Sequence, residues 1–446
     1  MGYPVTFSLA GTGLLFAFVG ILLGYFEYSF LEAIPNRIYT IMKNELLIAV
    51  PLFIFMGAVL EKSDISEKLL NNMTLLFGSL RGGMAISVTV VGMLMAASTG
   101  IVGATVVTMG LLALPTMLRR GYNPRIATGT ICASGTLGQV IPPSIVLVLL
   151  GDVISAAYQK SQIEQGSFSP DAVSVGDLFL GALLPGMLLV ACYLIYLAIA
   201  TVIFPKSMPP IPLAERRELM ARGKWHFTLS LISALIPPIL LIVLVLGSIL
   251  IGLATPTEAA AVGGVGALLL ALFKRKLNLN LLRSAMYTAA FQSSMVFMIL
   301  IGASIFSLVF RGLGGDVIVE EMLTGIPGGS VAAFWSVMLL MFVLGFFIDF
   351  IEITFVVVPI VGPVLMSLGM DPIWLGVMIA INLQTSFLTP PFGFSLFYLR
   401  GVAPKSILTR DIYMGVIPFI IIQLLVLIVL FFFRDIITWL PHQVYG

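Results

Sequence analysis

The chain has 446 residues, of which 59% are hydrophobic and 10% charged, with a net charge of +2. A soluble domain carries about 25% charged residues, so a water-soluble fold is excluded: it could not hide this much apolar surface, and the solvent must be lipid. At about 20 apolar residues per spanning helix, there is room for roughly ten spans and some shorter pieces.

Val5 to Gly24 reads as a retained first span, because it lacks the basic flank and small-residue cleavage pattern of a signal peptide. Glu61 to Gly78 alternates polar and apolar residues at helical spacing, which predicts an amphipathic helix at the interface. From residue 84 a long apolar stretch is interrupted near its middle by Ser98–Thr99–Gly100, closed by Pro115 and turned at Gly121–Tyr122–Asn123–Pro124. The next helix, about 125 to 153, is broken at Gly138–Gln139–Val140–Ile141–Pro142–Pro143–Ser144. Proline removes a backbone donor and clashes with the preceding turn, so two in a row should unwind the helix. Unwound backbone at membrane depth is tolerated only inside protein or beside a water-filled cavity.

A polar loop is expected from Ser155 to Gly176, then a return helix ending at Phe204–Pro205–Lys206 and a linker holding Arg216, Arg217, Arg222 and Lys224. Two further spans, interrupted at Thr255–Pro256–Thr257–Glu258, reach Lys274–Arg275–Lys276 and Arg283. Arg311 precedes Gly312–Leu313–Gly314–Gly315 and is read as a snorkelling interface arginine. Asp316 to Gly325 is a counterpart of the first amphipathic segment. A second interrupted apolar stretch has its tip at Phe346 to Glu352, and a second helix is broken at Thr385–Ser386–Phe387–Leu388–Thr389–Pro390–Pro391–Phe392–Gly393. Cys132 and Cys192 lie in apolar segments and read as small buried hydrophobes; His226 and His442 form no cluster.

The two interrupted stretches repeat each other. Gly121–Pro124 matches Gly369–Pro372, Pro115 matches Pro363, Pro142–Pro143 matches Pro390–Pro391 and Met93 matches Met341, all at an offset of 248 without a gap. Residues 84–150 and 332–398 are therefore two copies of one unit. The first is flanked by Arg81, Arg119, Arg120 and Arg125, whereas the second tip is flanked by Pro327–Ser330 and Ser367–Asp371 with no Lys or Arg. By the positive-inside rule the copies point in opposite directions, as inverted repeats do. The resulting arrangement puts 18 of the 23 Lys and Arg in the cytoplasm, leaving Arg37, Lys43, Lys160, Arg311 and Arg434 elsewhere, with the N-terminus cytoplasmic and the C-terminus periplasmic.

Transporter sites lie near the midplane at such breaks. The first copy supplies Ser98, Thr99, Gly100, Gly103, Thr105, Ser134, Thr136, Gly138, Pro142 and Ser144. The second supplies Gly345, Asp349, Glu352, Asn382, Gln384, Thr385, Ser386, Thr389 and Pro390. For any single hydroxyl the competing reading is a bond to its own backbone. Ionisable groups in apolar spans are functional candidates by default. Asp349 and Glu352, three apart, share a helix face and suit cation coordination or proton coupling; Glu258, after a proline, equally suits a structural helix end. No H-E-x-x-H, G-x-S-x-G or buried histidine supports an enzyme.

Taken together, Ser98 to Thr105, Gly138 to Ser144, Thr255 to Ala260 and Asn382 to Gly393 resemble the large membrane subunit of tripartite ATP-independent periplasmic (TRAP) transporters, the DctM type, over essentially the whole chain. The resemblance implies an all-α polytopic membrane protein with the inverted-repeat, elevator-type fold of the ion-transporter superfamily. It divides the chain into scaffold and arm (1–83), hairpin and broken helix (84–153), loop, return helix and linker (154–226), scaffold and arm (227–331), hairpin and broken helix (332–398) and C-terminal helix (399–446). It further implies sodium-coupled uptake of a small organic acid across the bacterial inner membrane. One sodium site would lie near Ser98, Thr99 and Gly138, the other near Gly345, Asp349 and Thr389. Expected partners are a separate small membrane subunit of DctQ type, a periplasmic binding protein of DctP type and the lipid bilayer, with no nucleic acid and no cofactor beyond sodium as coupling ion. A proton-coupled transporter of the same fold and an anion channel are the alternatives.

Overall fold

Seven helices among the described residues are long and apolar enough to cross a bilayer, or nine if each of two bent pairs counts as one span. A computed structural model of the protein describes residues 4–63, 65–100, 102–211 and 224–445. The linker residues Arg216, Arg217 and Arg222 fall outside these, as do the side chains of Ser98, Thr99, Lys224 and His226. The described chain is helical throughout, with no strand among those residues.

The first half runs through α1 (Val5–Leu22), α2 (Ile34–Lys43), α3 (Ala49–Lys62), the short amphipathic α4 (Ile65–Phe77), a hairpin of α5 (Gly83–Thr99) and α6 (Val102–Arg119), the broken pair α7 (Pro124–Thr136) and α8 (Ile145–Glu164), and α9 (Val175–Ile203). A connecting helix, α10 (Lys224–Leu250), leads into the second half. There α11 (Pro256–Phe273), α12 (Leu279–Gly312) and the short α13 (Gly315–Thr324) precede a hairpin of α14 (Gly329–Leu344), α15 (Phe350–Val356) and α16 (Val358–Ser367). The broken pair α17 (Pro372–Leu388) and α18 (Phe394–Val402), then α19 (Thr409–Phe432) and α20 (Asp435–Tyr445), complete the chain.

The repeat is wider than 84–150 and 332–398. Helices α1 and α11 each have 18 residues and start 251 apart; α4 and α13 start 250 apart. The G-x-x-P turns explain themselves in both copies. Gly121 (φ 78) and Gly369 (φ 87) close one helix in the left-handed conformation. Asn123 and Asp371 then cap the next, accepting from Arg125 N (2.9 Å) and Trp374 N (2.7 Å), with Pro124 and Pro372 at the first helical position. Pro142–Pro143 and Pro390–Pro391 are both cis, 248 apart.

One sequence match fails. The left-handed caps Gly82 and Gly328, and the starts of α5 and α14, are 246 apart, so the first arms align two residues out of step with the rest. Met93 is thus equivalent to Leu339 and not to Met341, and Ser98–Gly100 to Leu344–Phe346 and not to Phe346–Ile348. The gap is a two-residue insertion at the second tip, invisible where apolar residues are interchangeable.

The loop expected from Ser155 to Gly176 is shorter than its polarity suggests. Ala, Gln, Lys and Glu are good helix formers, and α8 continues to Glu164 with a Lys160–Glu164 pair (3.3 Å) one turn apart, ending before Gly166 (φ 87). Its counterpart α18 has only nine residues.

Basic residues gather at one end. Gly82 N donates to Met208 O (3.1 Å), Asn123 N to Ser207 O (2.9 Å), Lys274 Nζ to Ser233 O (2.8 Å), and Arg125 pairs with Asp411 (3.1 Å). Helix α9, with 29 residues, reaches about 43 Å from this end to the other at 1.5 Å per residue. At that other end Asn44, Asp152, Ser174 and Tyr445 lie. Of the cations expected outside the basic set, Arg434 sits 4.6 Å over the Trp374 ring and Lys43 5.0 Å over Tyr39.

Candidate functional site

Within each copy the hairpin is laid against its own broken helix, and the contact is made by small or polar residues. This is how helices approach closely in lipid, where apolar surface gives no drive to pair. In the first copy, a Cβ on Gly92 would strike Ser134, and one on Gly138 would meet Ala96 at 3.1 Å. At the equivalent rungs of the second copy, Asn382 Nδ2 donates to Met338 O (2.8 Å) and Ser386 Oγ to Phe342 O (2.8 Å). The second copy makes its close approach nearer the tip: Gly345 faces Ser386 at a distance that leaves no room for a Cβ.

The tips close onto the breaks. Gly100 takes a left-handed conformation (φ 62) and faces Ile145 at the start of α8. Ser144 Oγ donates to Gln139 O (2.9 Å) across the first break, and Ser395 Oγ to Phe387 O (3.0 Å) across the second. The accepting carbonyls are 248 residues apart, but the serines that serve them are not equivalent. Gly103 lies on the ring of Tyr398 from α18, so the first hairpin touches the second broken helix. Tyr398 also lies within electrostatic reach of Asp349 and Glu352.

The expected site residues divide into groups. Ser134, Thr385 and Thr389 donate to carbonyls of their own helices, of Ile131 (3.2 Å), Ile381 (2.8 Å) and Thr385 (2.7 Å). This is the competing reading for such hydroxyls. Asn382 and Ser144 tie segments together as described, and Pro142 and Pro390 begin the cis bonds. Asp349 caps α15, its Oδ1 accepting from Phe350 N (2.6 Å). Glu352 is 4% exposed and its Oε2 has no partner among the described residues. Glu258 is a helix cap: its Oε2 accepts from Thr255 N (2.8 Å) and Thr255 Oγ1 (3.0 Å), and Thr255 Oγ1 accepts from Glu258 N (3.3 Å). Arg311 does not snorkel. Its guanidinium donates to Pro359 O (3.2 Å) on the second hairpin while its Nε is buried without a partner.

Two residues stand out that the motifs did not single out. Gln139, at the first break, is fully buried with both amide atoms unpartnered among the described residues. A glutamine inside an apolar helix is the signal that could have found it. Tyr398, between the two hairpins, had no local signal, because its place depends on how the copies meet. Both cysteines are free, Cys132 buried and Cys192 half-buried. A monovalent cation needs several oxygens, and the second tip offers the orphaned Glu352 Oε2 beside Asp349, the first the unpartnered Gln139 carbonyl oxygen.

Comparison with known proteins agrees with this architecture. The chain is 29% identical over 470 residues to the "C4-dicarboxylate TRAP transporter large permease protein DctM" of Vibrio cholerae, covering 100% of this chain and 95% of that protein. It is 28% identical over 400 residues to the "Isethionate TRAP transporter permease protein DctMQ" of Oleidesulfovibrio alaskensis, covering 90% of this chain and 58% of that protein. The fold is that of the Alcanivorax borkumensis YdaH transporter, with a TM-score of 0.68 at 14% identity over 98% of this chain and 100% of that one. The family model described as "Tripartite ATP-independent periplasmic transporter, DctM component" matches residues 1–436, and the chain belongs to that family of multi-pass transporter permeases.

Proposed function

We propose that this permease performs sodium-coupled secondary uptake of an organic acid by an elevator motion, in the bacterial inner membrane with its N-terminus cytoplasmic. The units at 84–153 and 332–398 form the moving domain, and the helices before each form the scaffold. The observation that carries this reading is the pairing in each copy of a hairpin tip with a double-proline helix break. Such pairs expose backbone oxygens and half-helix ends to a bound ion and an anion at the midplane. Sodium would be held by carbonyls at Ser98, Thr99 and Gly138 with the Gln139 side chain in the first copy. In the second, Gly345, Asp349 and Thr389 would hold it with Glu352. The gathering of basic residues at one end supports the cytoplasmic assignment of that end.

The names of the relatives support an acid as cargo: one is named for C4-dicarboxylates and one for isethionate. The fused name DctMQ supports a small membrane subunit of DctQ type as partner, and the family supports a periplasmic binding protein of DctP type that delivers the acid. The test is uptake by proteoliposomes holding both membrane subunits, with the binding protein outside. Uptake should require an inward sodium gradient, and equal uptake in sodium-free buffer would refute the coupling. Asp349→Asn should lower the apparent sodium affinity. Unchanged sodium dependence would remove Asp349 from the site. Accelerated exchange in counterflow would exclude a channel.

A further inference from the structure

Arg37, Lys160 and Arg311, three of the five cations outside the basic end of the molecule, line one cavity of about 420 Å³. Its walls come from both proposed domains. Arg37 on α2 and Arg311 on α12 belong to the scaffold; Asp152 on α8 and Pro359 on the second hairpin belong to the moving unit, and Lys160 lies further along α8. The charges in it are not balanced internally. Lys160 pairs with Glu164 (3.3 Å) and Asp316 (3.9 Å). Both oxygens of Asp152 accept from Asn44 Nδ2, each at 3.2 Å. Among the described residues, neither Arg37 nor Arg311 has a carboxylate partner. Arg311 uses one nitrogen on a neutral carbonyl and leaves Nε buried and unpaired.

A buried donor without an acceptor is destabilising, and a guanidinium is a planar fork that fits a carboxylate with two parallel bonds. We infer that this cavity is an antechamber where Arg37 and Arg311 receive the carboxylate of an incoming organic anion before it reaches the broken helices. The inference rests on the reading above that the cargo is an acid. Pro359 lies ten residues beyond Asp349 on the same hairpin, past the 56° bend between α15 and α16, so the antechamber and the tip are separate stations. Because Arg311 holds Pro359 O, an arriving carboxylate competes with a contact between scaffold and hairpin.

The purified, reconstituted permease is treated with phenylglyoxal, and modification of each arginine is followed by mass spectrometry. Malonate, succinate, benzoate and methanesulfonate are added singly, with sodium chloride at equal ionic strength as control for screening. For a millimolar site, 10 mM of a bound anion leaves about one site in eleven free. At least one of these anions should therefore slow modification of Arg37 and Arg311 about tenfold and leave Arg119 unaffected. Equal rates with every anion overturn the inference, as does an Arg311 that the reagent never reaches, since an entry chamber must admit a molecule of that size. The acid-uptake reading is judged separately by the proteoliposome assay: uptake with no protection sinks only the antechamber, and protection with no uptake sinks only the transport reading.

Discussion

Asn382 shows what one buried side chain does in this molecule. It is 4% exposed, and its amide crosses from α17 to the Met338 carbonyl on α14. Replacing it with leucine removes this bond between helices, which costs about 0.5–1.5 kcal/mol. Asn382→Leu should therefore lower the melting temperature of the purified permease measurably, whereas Asn382→Asp, which adds a buried charge, should lower it further. Glu258 makes the contrasting case. Its carboxylate closes a capping box and is solvent-exposed, so Glu258→Gln should leave the sodium dependence of uptake unchanged and shift the melt only slightly. A loss of sodium coupling in that variant would return Glu258 to the list of ion ligands. The motif alone left both readings of Glu258 open; the hydrogen bonds to Thr255 favour the helix-end reading.

At the scale of elements, the crossings are set by glycine. A Cβ on Gly129 would run into the Gly415 carbonyl, and one on Gly415 into that of Arg125, so α7 and α19 meet backbone to backbone. Gly415→Val should push them apart and abolish both uptake and the cooperative melt, while Gly401→Ala, where nothing lies within 4 Å, should be silent in both. The elements themselves were legible because their signals are local. Paired prolines, G-x-x-P turns and the two amphipathic arms all became the breaks, turns and short helices expected of them. The register at the second tip was not, since an insertion between Phe and Leu neighbours changes no chemistry that a pattern can detect. The Gly103–Tyr398 contact was equally hidden, because it joins residues from opposite copies.

For the whole molecule, the decisive property is whether one domain slides past the other. Thr108 Oγ1 on the first hairpin donates to Glu61 Oε1 on α3 (2.9 Å), a contact between the proposed moving and fixed parts. With Cys132 and Cys192 first replaced by alanine, a Glu61→Cys/Thr108→Cys pair should cross-link under mild oxidation. Uptake should then stop and return on reduction. Full transport by the cross-linked protein would exclude sliding at this contact.

Each copy carries close-approach glycines that the other lacks: Gly92 on the hairpin and Gly138 on the broken helix in the first, where the second has Met338 and Ser386, and Gly345 on the hairpin in the second, where the first has Thr99. The duplicated parts are therefore complementary only to their own partners. A chimera that exchanged the two hairpins alone would set Phe342 against Gly138 in place of Ala96, and Thr99 against Ser386 in place of Gly345, where there is no room for a Cβ. Any sequence drift at one of these positions is thus tied to its partner within the same copy and indifferent to its symmetry mate. The two proposed ion sites are by this device free to diverge in chemistry while keeping the same geometry.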